Sequence, residues 1–315
     1  MLVGHGALAF LIVGTVVNAF TDRPPRQCLR LAFVAFLFGT LPDVDALFSL
    51  AITAAIGVSP GSVVDFWEIV NTFHRSTTHA FFVQFAAGLV ATGVASLAPS
   101  RRWTTSVLGL AVVATSTLST VWIVTVFGSV QEGLLVTVFL ALAAILAYAA
   151  VALTALTDRL VGVAALVGLL SHSPGDLFWI PPPDLLYPFV SPTLTGPLQL
   201  HPAPEINVGL VFLGESVVLA LGVLTYFHVV SVSPVERLHV AALSGVLILA
   251  FRPVVLLPTI EHPYTYSAAL LGLALFAASV SFLRGPAGTR LESAALNGVC
   301  SLVVASIVHV LALVL

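Results

Sequence analysis

Residues 133–156 read GLLVTVFLALAAILAYAAVALTAL, a run with no charged side chain. As a helix rising 1.5 Å per residue it spans about 36 Å, more than the roughly 30 Å of a bilayer's hydrocarbon core. It shows no sustained two-residue alternation, so a membrane strand is excluded. Similar runs recur outward in both directions, at about 2–20, 31–50, 78–98, 104–127, 160–180, 207–230, 238–258, 265–283 and 291–313. The expected fold is therefore all-α, a polytopic integral membrane bundle of about ten transmembrane helices. Two connections are long, 51–77 and the proline-rich 181–206.

Composition agrees with this reading. Of the 315 residues 59% are hydrophobic and only 8% are charged, with a mean hydropathy of +1.10; soluble domains carry about a quarter charged residues. The chain has no lysine, a net charge of −3 and no basic tract, which argues against a nucleic-acid partner. Cys28 and Cys300 lie far apart, outside any metal-type spacing, and read as structural. The first 20 residues lack a basic leader and a small-residue exit, so they are expected to stay as a membrane helix.

Orientation follows from arginine. Arg23, Arg26, Arg30, Arg101, Arg102, Arg159, Arg237, Arg284 and Arg290 fall on alternate connections. The other connections hold Arg75 with Asp65, Glu68, Glu132, Asp184, Glu205 and Glu261. The positive-inside rule makes the arginine-rich side cytoplasmic and places both termini outside, in a plasma membrane.

Ionisable residues inside such runs are costly and mark function. The first 190 residues contain His5 in GHG, Asp43 and Asp45 in LPDVD, His74 and His79 in HRSTTH, and His172 and Asp176 in SHSPGD. Counted from helix ends, Asp45 and Asp43 lie roughly 7 and 10 Å deep, and Asp176 and His172 roughly 6 and 12 Å deep, all from the outer side. His172 and Asp176 share one helix face. Pro42 disfavours helix at Leu41, so both aspartates can turn inward at a break. Pro174 and Gly175 are expected to kink their helix. Thr77 or Ser76 is expected to cap the next helix, leaving His79 in its first turn. Four imidazoles and three carboxylates suit one or two ions of a borderline-soft divalent metal, zinc first, manganese or iron next.

The ordered set GH, LPDVD, HRSTTH and GLLSHSPGDLFWIPP, over roughly residues 3–190, resembles the YdjM-like membrane-bound metal-dependent hydrolases. That family is distantly similar to the phospholipase C and zinc-dependent nuclease superfamily. The chain departs from the family's HRG-x-THS block at Ser76 and Ala80. The resemblance implies His5, Asp43, Asp45, His74, His79, His172 and Asp176 as metal ligands in a domain over 1–190. It also implies a hydrolase of phosphoesters, acting on a membrane lipid or lipid-linked substrate. Asp43 or Asp45 is then the candidate general base, and Arg75 the candidate phosphate clamp. A transporter or ion carrier, and a non-catalytic membrane scaffold or regulator, are the competing classes. Residues 207–315 form an additional four-helix region matching no family, in which Glu215 and Arg252 are expected to pair across adjacent helices.

Overall fold

The computed structural model describes residues 2–55, 77–97, 103–179, 182–190, 196–251 and 264–314. Every regular element among them is helical. They form two compact units, Leu2–Pro197 and Leu198–Leu315.

The first unit contains α1 (Leu2–Phe20), α2 (Pro25–Thr40), a 3₁₀ turn at Leu41–Asp43 and α3 (Val44–Ala55). A second 3₁₀ turn at Thr77–His79 leads into α4 (Phe81–Ala95), followed by α5 (Trp103–Phe127), α6 (Val130–Thr154) and α7 (Asp158–Asp176). Pro25 starts α2, where its fixed φ suits the first helical position and its missing N–H costs nothing. Ser129 caps α6: its Oγ accepts from the Glu132 backbone N–H at 3.2 Å and donates to Glu132 Oε2 at 2.9 Å. At the other end of α6, Arg30 donates to the Thr154 carbonyl at 2.9 Å, satisfying a terminal acceptor.

Helix α7 is central, packing against α1, α2, α4 and α6. Its contact with α2 is close enough to need glycine. A Cβ on Gly168 would sit 2.5 Å from the Ala35 carbonyl oxygen, a backbone atom that cannot rotate away. Around this crossing Phe38, Phe139, Leu140 and Leu169 are buried in one apolar core.

The second unit contains α8 (Pro204–Val229), 3₁₀ segments at Pro234–Arg237 and Val240–Leu247, α9 (Ile248–Phe251), α10 (Tyr264–Arg284), a 3₁₀ turn at Ala287–Thr289 and α11 (Arg290–Val314). Helix α11 packs against α8, α10 and Val240–Leu247. The run expected as a membrane helix over 238–258 begins instead as 3₁₀. Its burial largely follows a period of three: Ala242, Gly245 and Ile248 are buried, with Ala241 beside them, while Val240, Leu243, Val246 and Leu249 are exposed. That period matches three residues per turn and puts one narrow stripe against α11. Asn297 holds the segment's start, accepting from the His239 N–H at 2.7 Å and donating to the Arg237 carbonyl at 2.9 Å.

Among the described residues, six helical stretches are long and apolar enough to cross a bilayer: Pro25–Ala55, Val107–Phe127, Val130–Thr154, Pro204–Val229, Tyr266–Arg284 and Arg290–Val314. These apolar helices are consistent with a membrane protein. Six is fewer than the ten runs read from sequence, for local reasons. Helix α4 starts only at Phe81 and is 15 residues long, about 22 Å. Helix α7 carries Asp158, Arg159, His172 and Asp176, which lower its hydropathy. The span Pro25–Ala55 is not one continuous α-helix, because the 3₁₀ turn at Pro42 interrupts it.

Candidate metal centre

Three elements of the first unit converge on one buried point. The break between α2 and α3 brings Asp43 and Asp45, the turn before α4 brings His79, and the end of α7 brings His172 and Asp176. Asp45, His79 and His172 have no exposed surface, and Asp43, Asp176 and His5 are at most 4% exposed.

Helix α4 begins at Phe81 with Ala80 at its N-cap position, so neither Thr77 nor Ser76 caps it, and the start lies three residues beyond that of a Thr77 cap. The Thr77 and Thr78 hydroxyls are spent on tertiary partners. Thr77 Oγ1 donates to Glu132 Oε1 at 3.4 Å, and Thr78 Oγ1 donates to Asp45 Oδ2 at 2.6 Å. His79 therefore sits in its own 3₁₀ turn. Pro174 lies inside α7, which continues to Asp176 and ends there.

The tautomers follow from the outer partners. His172 Nδ1 is 2.7 Å from the Gly39 carbonyl, which can only accept, so Nδ1 carries the proton and Nε2 presents a lone pair. His79 Nδ1 is 3.2 Å from Asp45 Oδ2, again an acceptor, so in the neutral imidazole Nε2 is the nitrogen that can bind a cation. The two Nε2 atoms face each other at 2.9 Å. Asp176 Oδ2 lies 3.0 Å from His79 Nε2 and 3.4 Å from His172 Nε2. Asp43 Oδ1 lies 3.8 and 3.6 Å from the same two atoms.

Asp43, His79, His172 and Asp176 thus each offer one ligand atom, all within 4.8 Å of one another. Metal–nitrogen and metal–oxygen bonds of about 2.0–2.2 Å put ligand atoms of a four-coordinate site roughly 3–3.6 Å apart. The donor set suits a divalent cation, with the two Nε2 atoms and Asp176 Oδ2 near that spacing and Asp43 Oδ1 standing farther out. Electrostatics point the same way: two carboxylates and two converging imidazole nitrogens, desolvated together, are stabilised by a positive charge among them. The cluster could hold a divalent metal ion, and neither nitrogen nor oxygen donors single out one element.

Two sequence-predicted residues stand beside this set. Asp45 faces the Nδ1 side of His79, where a carboxylate orients an imidazole for a metal. His5 Nε2 is 3.3 Å from Asp176 Oδ1, and its ring lies 4.1 Å from that of His172 at 38°. Gly175 makes room for it, since a Cβ there would come within 2.6 Å of the His5 ring. His74 and Arg75 lie outside the described residues, as does Arg252; Glu215 is half-buried on α8.

Four participants went unread in the sequence: the Gly39 carbonyl, Thr78, Ser173 and Gln84. Ser173 Oγ donates to the His79 carbonyl at 2.6 Å, and Gln84 Nε2 donates to Ser173 Oγ at 2.8 Å. Gln84 left a trace, as the one amide in the apolar stretch FFVQFAAGLV. The carbonyl left none. No protein-family model matches the chain, and neither any curated protein nor any solved structure is significantly similar to it.

Proposed function

We propose that this chain is a membrane-embedded metal-dependent hydrolase that cleaves a phosphoester of a lipid or lipid-linked substrate at the extracytoplasmic face of the plasma membrane. One observation carries the reading. Two histidines have their Nδ1 atoms on the Gly39 carbonyl and the Asp45 carboxylate, and their Nε2 atoms meet 2.9 Å apart beside two buried carboxylates. The sequence blocks that resemble YdjM-like hydrolases support the reaction type. The arginine distribution supports the sidedness and the count of about ten spans.

Asp43, His79, His172 and Asp176 hold the ion, zinc in the first instance. A divalent ion there supplies Lewis acidity and a water acidified toward neutral pH. Asp45 orients His79 and, with Oδ2 engaged by Thr78 and His79, is less suited to proton transfer. Asp43, whose distances to the imidazoles are the longest of the set, is the carboxylate we assign as general base. Arg75, adjoining His74 in sequence, is assigned to the substrate phosphate. His5 steadies Asp176 through its Oδ1.

The test is elemental analysis of the purified chain, paired with release of phosphate from lipid phosphate analogues. About one or two zinc-like ions per chain and metal-dependent turnover are expected, both lost in the double variant His172→Ala, Asp176→Ala. A metal-replete, folded protein without bound metal would overturn the reading. The helix break at Leu41–Asp43 also favours a second one, an ion carrier, because interrupted helices line transport sites. Metal uptake into proteoliposomes without any phosphate release would select it.

A further inference from the structure

We propose that Gln84 and Ser173 are positioning residues of the metal centre, forming a relay that sets where His79 stands relative to His172. The inference rests on the metal-centre reading above and adds Gln84, which no motif contains, and Ser173, a position of the SHSPGD block that was given no role.

A primary amide buried in an apolar helix costs free energy unless its hydrogen bonds are made. Gln84 has no exposed surface, on α4 between Val83 and Phe85. Its Nε2 donates across to Ser173 Oγ on α7 at 2.8 Å. A hydroxyl has one proton, and with the Gln84 amide occupying its acceptor side, Ser173 commits that proton to the His79 carbonyl at 2.6 Å. Direction is thereby defined along the chain Gln84, Ser173, His79.

The consequence is geometric. Consecutive residues of α7 tether two separate elements. His172 donates through Nδ1 to the Gly39 carbonyl at the end of α2, and Ser173 donates to the backbone of the turn that carries His79. The 2.9 Å between the two Nε2 atoms is spanned by this pair of adjacent tethers. Other attachments of the turn act through side chains: Thr77 reaches Glu132 at a long 3.4 Å, and Thr78 holds Asp45 and lies 3.1 Å from His79 Nδ1. The Ser173 bond grips the His79 main chain from the helix that bears its partner ligand.

The relay is tested on the full chain in detergent, stripped with chelator and titrated with cobalt(II), whose visible absorption reports ligand geometry. The variants are Gln84→Met, close in shape and lacking the donor, Ser173→Ala, the double variant, and Val90→Ala as a core change elsewhere on α4. Outer-shell partners typically alter metal affinity by 10- to 100-fold. We expect Gln84→Met and Ser173→Ala each to weaken cobalt binding about tenfold and shift the absorption bands. Gln84→Met should add nothing in the Ser173→Ala background, because the two act in series. Val90→Ala should lower the denaturation temperature with affinity and spectrum unchanged. If both relay variants match the unmodified protein in affinity and spectrum while only stability falls, the relay is overturned and the metal centre stands. If the unmodified protein itself binds no cobalt, the metal-centre reading falls and takes the relay with it.

Discussion

At the scale of residues, burial separates the roles of groups that look alike in sequence. Asp45 and Asp176 are both fully enclosed carboxylates near His79, yet one faces Nδ1 and the other Nε2. Removing a ligand and removing an orienting group have different costs. Asp176→Ala is therefore expected to abolish zinc binding, whereas Asp45→Ala weakens it by about 10- to 100-fold. A competition titration against a chromogenic chelator measures both. Equal losses would place Asp45 in direct contact with the ion. Of the seven residues singled out from sequence, His74 lies outside the described residues; the other six gather at the site, and each was legible as an ionisable side chain in an apolar setting. The Gly39 carbonyl was not, since every residue has one and only its neighbour makes it a partner.

At the scale of elements, the site depends on how closely helices approach and where they begin. Gly168→Val puts a branched side chain against the Ala35 carbonyl, where a Cβ already comes within 2.5 Å. Overpacking of this kind costs about 1–3 kcal/mol. We expect a lower denaturation temperature together with weaker metal binding, because spreading α2 from α7 lengthens the bond from His172 to Gly39. Glu132 links the start of α6 to the His79 turn through Ser129 and Thr77. Glu132→Ala should destabilise the protein by about 1 kcal/mol, the usual scale of a cap, as read by thermal unfolding in detergent. An unchanged midpoint would show that this cap is redundant. The break at Pro42 was legible, but not through Leu41, which stays in the right-handed helical region at φ −66° and ψ −37°; Pro42 lacks the N–H an α-helix needs, and the structure has a 3₁₀ turn there. The 3₁₀ conformation of Val240–Leu247 was not, because its three-residue burial period arises only from packing against α10 and α11.

At the scale of the whole molecule, sidedness decides which substrates can reach the centre. With Cys28 and Cys300 replaced by alanine, a cysteine at Asp184 is expected to react with an impermeant thiol reagent in whole cells. One at Arg159, at the opposite end of α7, should not react. The reverse pattern would turn the site toward the cytoplasm. The sequence by itself determined that the chain is helical, apolar enough for a membrane, and that its unusual ionisable residues gather in the first 190 positions. Those properties are local: hydropathy, proline and helical spacing act within a few residues of themselves. Only the tertiary structure decided that Asp43, His79, His172 and Asp176 share one point, with Asp45 and His5 standing behind them. Convergence depends on the rotation and approach of α2, α4 and α7, which long-range packing sets and no single segment encodes.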